Sequence, residues 1–226
     1  ARGDLGVEIP LYELPKAQKE MIRRVREAGK IVIVATEMLE SMKKSIRPTR
    51  AEVSDVFNAV LDGTDAVMLS GETTMGKYPV EVVQNMANIC VSAEEQMDYD
   101  NQITPIEKND VTSAIANSVV DSANILNANL IVATTISGLT ARKISALRPK
   151  SVILATCPSF KTATSLALNF GVYSQIVPIL DSTDEVIEEG IKAAKQFMDL
   201  PRGSKIVIAG GFPKNHSTNF MKVEEI

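Results

Sequence analysis

The fold class follows from residues 130–157, which read LIVATTISGLTARKISALRPKSVILATC. Two short apolar runs, Leu130–Thr135 and Val152–Cys157, flank a stretch that opens a helix. Each run is rich in β-branched residues, nearly continuous and short, which is typical of a strand buried on both faces. Two such strands joined by a helix predict a parallel βαβ unit.

Three further runs of the same kind occur in the chain: Ile31–Thr36 (IVIVAT), Ala66–Ser70 (AVMLS) and Ile206–Gly211 (IVIAGG). Amphipathic stretches separate the runs, and their starts carry helix signals. Pro15 fits a first helical turn, while Thr49 and Ser182 are each followed three residues later by Glu, as in a capping box. The alternation of strands and helices predicts the α/β class.

The apolar spacing within the helices predicts which side chains form the core. For the helix over Pro79–Met97, one stripe is predicted to hold Val83, Met86, Cys90, Ala93 and Met97. Met21, in the helix that runs from Pro15 to Ala28, is also predicted to be a core residue.

The composition is that of an ordinary globular protein, with 226 residues of which 45% are hydrophobic and 23% charged. No apolar stretch approaches the roughly 18 residues that span a bilayer, and no leader opens the chain, so we expect a cytoplasmic protein without a membrane partner. A net charge of −4 and the lack of Trp argue against nucleic-acid binding. Cys90 and Cys157 lie in apolar segments and are predicted to be reduced thiols.

The sequence predicts two domains. Asp98–Lys108 is polar, contains Pro105 and lacks periodicity, which indicates a connection between residues 1–100 and 108–226. The second part predicts a complete small open sheet. The first part shows only two clear strands and a strand end, and the chain begins with Ala1 rather than Met. We therefore expect residues 1–100 to be part of a larger domain.

Sites in parallel α/β folds form at the carboxyl ends of strands. The opening ARGDLG places Asp4, a carboxylate suited to Mg²⁺, between glycines that let backbone N–H groups approach an anion; a solvated turn is the alternative. The position of Thr36 at the end of IVIVAT indicates that its hydroxyl either donates to substrate or caps a helix. Glu72 comes two residues after Ser70, the last residue of AVMLS. Its carboxylate is predicted to bind a water, a metal or a basic group, or to cap a second helix.

Two loops of the second part predict an anion site. Thr134–Arg142 combines hydroxyls, a glycine and a helix start, which favours phosphate binding, although a plain capped helix fits equally well. Its spacing is neither that of a P-loop nor that of a dinucleotide fingerprint. In the loop Gly210–Asn219, Lys214 and the hydroxyls could face an anion, and we interpret His216 as a loop residue rather than a general base.

Taken in order, these stretches resemble the pyruvate kinase family. ARGDLGVEIP, a strand ending in AT before MLESM, and RPTRAEVSDVFNAVLDGTDAVMLSGETTMGKYP are similar to its catalytic domain. SGLTARKISALRP and a final GG with STNFMKV are similar to its C-terminal domain. The resemblance implies the C-terminal portion of a TIM (β/α)₈ barrel, from the end of strand six to helix eight, followed by a three-layer α/β open-sheet domain.

Members of this family transfer the phosphoryl group of phosphoenolpyruvate to ADP, which gives pyruvate and ATP. The resemblance implies that Asp4 is a ligand of Mg²⁺ (or Mn²⁺). It also implies that the N–H groups of Gly3 and Asp4, together with the Thr36 hydroxyl, bind the substrate carboxylate. By the same resemblance, Thr36 and Arg2 belong to the catalytic machinery, and Glu72 and Ser70 line the pocket mouth. The family's catalytic lysine, second Mg²⁺ ligand, K⁺ ligands and most ADP-binding residues correspond to positions before Ala1. The chain by itself is therefore expected to be inactive.

The resemblance also implies a homotetramer and a sugar-phosphate effector such as fructose 1,6-bisphosphate. The residues matching the effector loops are Thr135, Ser137, Gly138, Thr140 and, in a second loop that departs from the family's glycine-rich pattern, Lys214. Two other hypotheses stay open. One is a Mg²⁺-dependent barrel lyase acting on pyruvate-like substrates; the other is a non-catalytic module for effector binding or oligomerisation.

Overall fold

The structure is a computed structural model, and it describes residues 2–99, 110–213 and 217–226. The chain divides into two compact units, Ala1–Asp98 and Tyr99–Ile226. The division falls beside the predicted connection, most of which lies outside the described residues. Within the described ranges, no helix combines the length and apolarity needed to cross a bilayer.

The first unit contains two parallel strands, β1 (Ile33–Ala35) and β2 (Ala66–Met68), in a register that pairs Val34 with Val67. Its helices are α1 (Arg2–Glu8), α2 (Leu14–Glu27), α3 (Arg50–Leu61), α4 (Gly71–Thr74) and α5 (Pro79–Glu94), with 3₁₀ turns at Leu11–Glu13 and Glu40–Lys43. Because β1 and β2 are parallel, the loops that leave them lie at the same edge of the pair, where a site is expected.

The second unit is built on a five-stranded sheet of order β5-β4-β3-β6-β7. Its strands are β3 (Leu130–Thr134), β4 (Val152–Cys157), β5 (Val172–Ile176), β6 (Lys205–Gly210) and β7 (Phe220–Glu225). Its helices are α6 (Val111–Leu126), α7 (Leu139–Ala146), α8 (Phe160–Leu166) and α9 (Thr183–Phe197). The strands β3 to β6 pair in parallel, and β7 pairs antiparallel to β6.

The antiparallel strand β7 was not predicted. It lies at the edge of the sheet, and none of its residues is fully buried. An edge strand is not covered on both faces, so its sequence lacks the continuous apolar run by which β3, β4 and β6 were found.

The sheet of the second unit has a core on each face, because successive side chains of a strand point to opposite sides. Ile131, Ile153 and Val207 pack in one cluster with residues of α6, α7 and α8. Their neighbours Leu154 and Ile208 pack in the other with α9. This arrangement confirms a three-layer α/β domain.

Local signals fix several helix starts. At α3, the Thr49 side chain accepts a hydrogen bond from the Glu52 N–H (3.3 Å) and the Glu52 carboxylate accepts one from the Thr49 N–H (2.7 Å), which confirms the capping box. At α9, Ser182 accepts from the Glu185 N–H, but the Glu185 carboxylate accepts from the N–H of Asp181. The second capping box is therefore only half correct.

The core stripe predicted for α5 is wrong at its start. Val82, Met86, Ile89 and Ala93 are buried, whereas Val83 is 53% exposed. The buried positions follow a spacing of four, three and four, and the predicted stripe began one residue too late. Met21 is also exposed, because α2 faces the core through its neighbour Ile22. Cys90 and Cys157 are free thiols, as predicted.

Candidate functional site

The carboxyl end of β1 carries a turn in an uncommon backbone conformation. Thr36 has φ +71° and Glu37 has φ +52°, a left-handed region that a β-branched residue rarely adopts. The next helical element is the 3₁₀ turn at Glu40, whose N-cap is Leu39, so the helix-cap alternative for Thr36 is wrong. The Thr36 Oγ1 atom is buried and has no hydrogen-bond partner within the described part of the chain. We refer to residues 36 and 37 as the Thr36 turn.

Arg2, in the first turn of α1, holds the backbone of this turn. Its Nε donates to the carbonyl oxygen of Ala35 (3.2 Å), and its Nη2 donates to that of Thr36 (2.5 Å). Its Nη1 forms an ion pair with the Asp55 carboxylate of α3 at 2.5 Å. The structure therefore brings Arg2 and Thr36 together, with the guanidinium bound to backbone carbonyls.

Gly3 and Asp4 follow Arg2 in the first turn of α1, and both residues are exposed. The first N–H groups of a helix have no partner within the helix, and the first turn of α1 also contains the Asp4 carboxylate. Among the described residues, no group of three or more His, Cys, Asp or Glu side chains is arranged to hold a metal ion. The carboxylate of Asp4 is the hard oxygen ligand that Mg²⁺ prefers, and it lies two residues after Arg2, which holds the Thr36 turn.

Glu72 links the loops that leave the two strands. Its carboxylate is fully buried and accepts hydrogen bonds from the Leu39 N–H (3.2 Å), after β1, and from the Ser70 N–H (2.8 Å), after β2. Ser70 is the N-cap residue of α4, but its own side chain makes no capping hydrogen bond. Glu72 therefore fixes the spacing between the two loops.

Burial alone would raise the pKa of the Glu72 carboxyl group. The hydrogen bonds from backbone N–H groups, including those of Ser70 and Leu39, and the nearby Lys43 ammonium outweigh that effect and lower the pKa below its ordinary value. Glu72 is therefore ionised at neutral pH, in keeping with its role as an acceptor of two N–H groups.

The second unit contains a cavity of about 420 Å³ at the carboxyl ends of β3 and β4. The polar residues that line it are Thr134, Thr135, Ser137, Thr140, Thr156, Ser217 and Thr218. Its apolar lining residues include Ile136, Leu139, Val177, Pro178, Ile179, Leu180 and Phe212. A volume in this range is typical of small-molecule sites.

The loop between β3 and α7 owes its shape to Gly138, whose φ of +88° places it in the left-handed region. Gly138 is the N-cap of α7, and its N–H donates to the Thr135 hydroxyl at 3.0 Å. The Thr140 hydroxyl shares a 2.7 Å hydrogen bond with that of Thr218, which joins this loop to the late loop. The two loops predicted to form one site are therefore in contact.

Two hydroxyls that line the cavity have no hydrogen-bond partner among the described residues. Thr156 is only 3% exposed and lines the cavity, and neither its hydroxyl nor that of Ser137 makes a hydrogen bond within the described ranges. Glu189 is the charged residue among the described lining residues. Lys214 and His216 lie outside the described residues, so their predicted roles stay predictions.

Sequence reasoning missed residues whose partners are far along the chain. Asp55 gave no local signal, because its partner Arg2 is 53 residues away. Thr156 lies in β4 and Glu189 lies in α9, and the local patterns of these elements predict a strand and a helix but not a site. A hydroxyl at the end of β4, beside a second strand end that also carries hydroxyls, was the one signal that could have singled out Thr156.

Comparison with known proteins agrees with this geometry. Residues 1–83 match the family model described as the pyruvate kinase barrel domain, and residues 113–224 match that of the pyruvate kinase alpha/beta domain. The chain is 44% identical to a pyruvate kinase of Clostridium perfringens, over 100% of this chain and 49% of that protein. It is 46% identical to one of Staphylococcus epidermidis, over 99% of this chain and 39% of that protein.

Among solved structures, the crystal structure of a pyruvate kinase from Cryptosporidium parvum matches with a TM-score of 0.92 and 41% identity, over 100% of this chain and 46% of that one. The fold is thus the end of a barrel domain joined to a three-layer α/β domain. The chain belongs to the pyruvate kinase family. It spans about half the length of the curated relatives it matches.

Proposed function

We propose that this chain contributes the Thr36 side of the active site of a pyruvate kinase, which transfers the phosphoryl group of phosphoenolpyruvate to ADP. The observation that carries the proposal is the buried Thr36 hydroxyl, which has no partner among the described residues and lies in a strained turn held by Arg2. A buried hydroxyl without a partner costs free energy, so its retention favours a role toward a bound molecule.

The residues around Thr36 fit the chemistry of a three-carbon acid. The N–H groups of Gly3 and Asp4 would bind the substrate carboxylate, and the Thr36 hydroxyl would donate to the same group. Thr36 would also relay the proton that converts the enolate to pyruvate. Glu72 and Ser70 would shape the mouth of the pocket, and Arg2 would position the turn rather than touch substrate.

The donor set also fits a divalent cation. Asp4, an exposed carboxylate beside the helix start, would hold Mg²⁺ or Mn²⁺ together with ligands that the family places outside this chain. When bound, such an ion neutralises charge on the phosphoryl and carboxylate oxygens. The K⁺ ligands of the family also have no counterpart in this chain, so the chain alone should form no pyruvate.

The test is Thr36→Val in the full-length enzyme, which keeps the shape of the side chain and removes its hydroxyl. We expect deuterium exchange into the methyl group of pyruvate to fall by about 10²- to 10⁴-fold, the usual contribution of a positioned proton donor. Thr36→Ser, which keeps the hydroxyl, should retain most of that exchange. Wild-type exchange in Thr36→Val would refute the proposal.

A coupled assay of ATP formation by the full-length enzyme separates the kinase from the barrel lyase. Formation of ATP from ADP and phosphoenolpyruvate supports the kinase, whereas pyruvate release that does not depend on ADP supports a lyase. Family membership further supports a homotetramer in the cytoplasm as a proposal. Sedimentation of the full-length enzyme, with a single species of four subunits expected, tests its oligomeric part.

The cavity of the second unit supports a second function, the binding of a phosphorylated effector. The hydroxyls of Ser137 and Thr156, which have no partner among the described residues, and the start of α7 would bind one phosphate group. The other lining residues are apolar or carry hydroxyls, and the charged one among the described residues is Glu189. This distribution favours a sugar monophosphate over a sugar bisphosphate, because a second phosphate would face a like charge.

Calorimetry on the chain with ribose 5-phosphate and fructose 1,6-bisphosphate tests this function. We expect ribose 5-phosphate to bind more tightly than fructose 1,6-bisphosphate, and Ser137→Ala to weaken its binding about 10- to 150-fold, since a hydrogen bond to a charged group contributes about 1.5–3 kcal/mol. Ser118→Ala, on the exposed face of α6, is the matched control. If neither ligand gives heat at millimolar concentration, the effector proposal is refuted. The hypothesis of a non-catalytic effector-binding module would then also lack a ligand.

A further inference from the structure

Asp55 is the one acidic residue that contacts the Arg2 guanidinium in the described part of the chain. Its Oδ2 atom lies 2.5 Å from Arg2 Nη1, and the Arg2 side chain is only 15% exposed. On its other side, the same guanidinium donates to the carbonyl oxygens of Ala35 and Thr36. A continuous set of contacts therefore runs from α3 through Arg2 to the Thr36 turn.

The turn needs such a support. Two consecutive residues other than glycine have positive φ, and a backbone of this kind persists only where its surroundings determine it. The planar guanidinium offers donors in a fixed arrangement, which matches two consecutive carbonyl oxygens. The orientation of that plane decides where the Thr36 side chain lies.

Asp55 is the charged partner that orients the plane, beside the neutral contacts that Nη1 makes with Gln18 and Nη2 makes with the Met38 sulfur. A guanidinium that lacks a carboxylate partner is free to bind another anion, and a pocket for phosphoenolpyruvate supplies one. With Nη1 bound to Asp55, the Nε and Nη2 atoms remain directed at Ala35 and Thr36. The carboxylate thus keeps Arg2 on the backbone and away from the substrate.

We propose that Asp55 is a positioning residue for proton transfer, which acts through Arg2 on the Thr36 turn. The proposal rests on the function proposed for Thr36. It assigns a role to a helix residue that does not face the substrate, and it predicts that removing the charge of Asp55 displaces the Thr36 hydroxyl without removing it.

The test compares Asp55→Asn with Asp62→Asn in the full-length enzyme. Asp62, the C-cap of α3, forms an ion pair with Lys19 and so joins the same helix to α2 without contacting Arg2. For Asp55→Asn we expect kcat to fall by up to about 10²-fold, the effect of a displacement of about 1 Å at a reacting group. The KM for phosphoenolpyruvate should change less than kcat, and Asp62→Asn should leave both unchanged.

Arg2→Lys gives an independent answer if Asp55→Asn fails to fold. Lysine keeps the ion pair with Asp55 but cannot donate to both carbonyl oxygens in a fixed plane, so we expect the same loss of kcat. Thr36→Val distinguishes the two proposals: if it lacks proton exchange while Asp55→Asn and Arg2→Lys have wild-type kcat, the role of Asp55 is refuted and that of Thr36 stands. A loss confined to the melting temperature, or to KM, would equally overturn the positioning role.

Discussion

Replacing Glu72 with Gln tests the link between the loops that leave β1 and β2. The substitution keeps the shape of the side chain but replaces one of its two acceptor oxygens with an NH₂ donor. In the native structure the two oxygens accept separately, Oε1 from the Leu39 N–H and Oε2 from the Ser70 N–H. In Glu72→Gln, one of these buried N–H groups must therefore face a donor.

The loss of one hydrogen bond to a charged group amounts to about 2 kcal/mol, which corresponds to about 30-fold easier local opening. We expect hydrogen exchange of one of the two amides, at Leu39 or at Ser70, to become faster by that factor, while amides of the second unit keep their rates. Glu81→Gln, on the exposed face of the first turn of α5, is the matched control. Unchanged exchange at both amides would refute the structural role of Glu72.

The same variant has a predicted pH dependence. Because the pKa of Glu72 is lowered in the folded chain, its ionised form stabilises the fold above the unfolded value of about 4.3, and this stabilisation is lost as the pH falls through the lowered pKa. Glu72→Gln has no such group. The difference in urea stability between the wild type and the variant should therefore shrink below about pH 4.3, and a difference that is constant from pH 7 to pH 3 would contradict the lowered pKa.

Three further outcomes follow from single contacts. Gly190→Leu should lower the free energy of unfolding of the second unit by about 1–3 kcal/mol, because a Cβ at this position in α9 already lies 3.4 Å from Val132; an unchanged urea midpoint would contradict the close packing. Thr140→Val should lower the melting temperature of the same unit by leaving the buried Thr218 hydroxyl unpaired, at a cost of about 1–3 kcal/mol, and a wild-type melting curve would argue against that bond. Burial raises the pKa of the Cys157 thiol, so mass spectrometry should find it unmodified by iodoacetamide at pH 7.5 until urea is added; modification in the native state would show that this thiol is accessible.

Much of this fold could be predicted because its signals lie within short windows of sequence. The run Val152–Cys157 forms β4 with the predicted bounds, since a strand covered on both faces has to be apolar throughout. The cap at Thr49 was predictable for the same reason, as its partner Glu52 is three residues away. The strand β7 was not, because a half-covered edge strand carries no comparable pattern.

The candidate sites show the same limit. The residue types at Asp4, Thr36 and Thr135 were evident from their positions after predicted strands and at the chain's opening, and the order of the motifs indicated the family. The tertiary structure alone decided which distant groups bind the side chains around these positions. The partner that fixes Arg2 lies 53 residues away and the N–H group that Glu72 binds at Leu39 lies 33 residues away. Contacts over such separations depend on how helices and strands pack, which no local pattern of residues encodes.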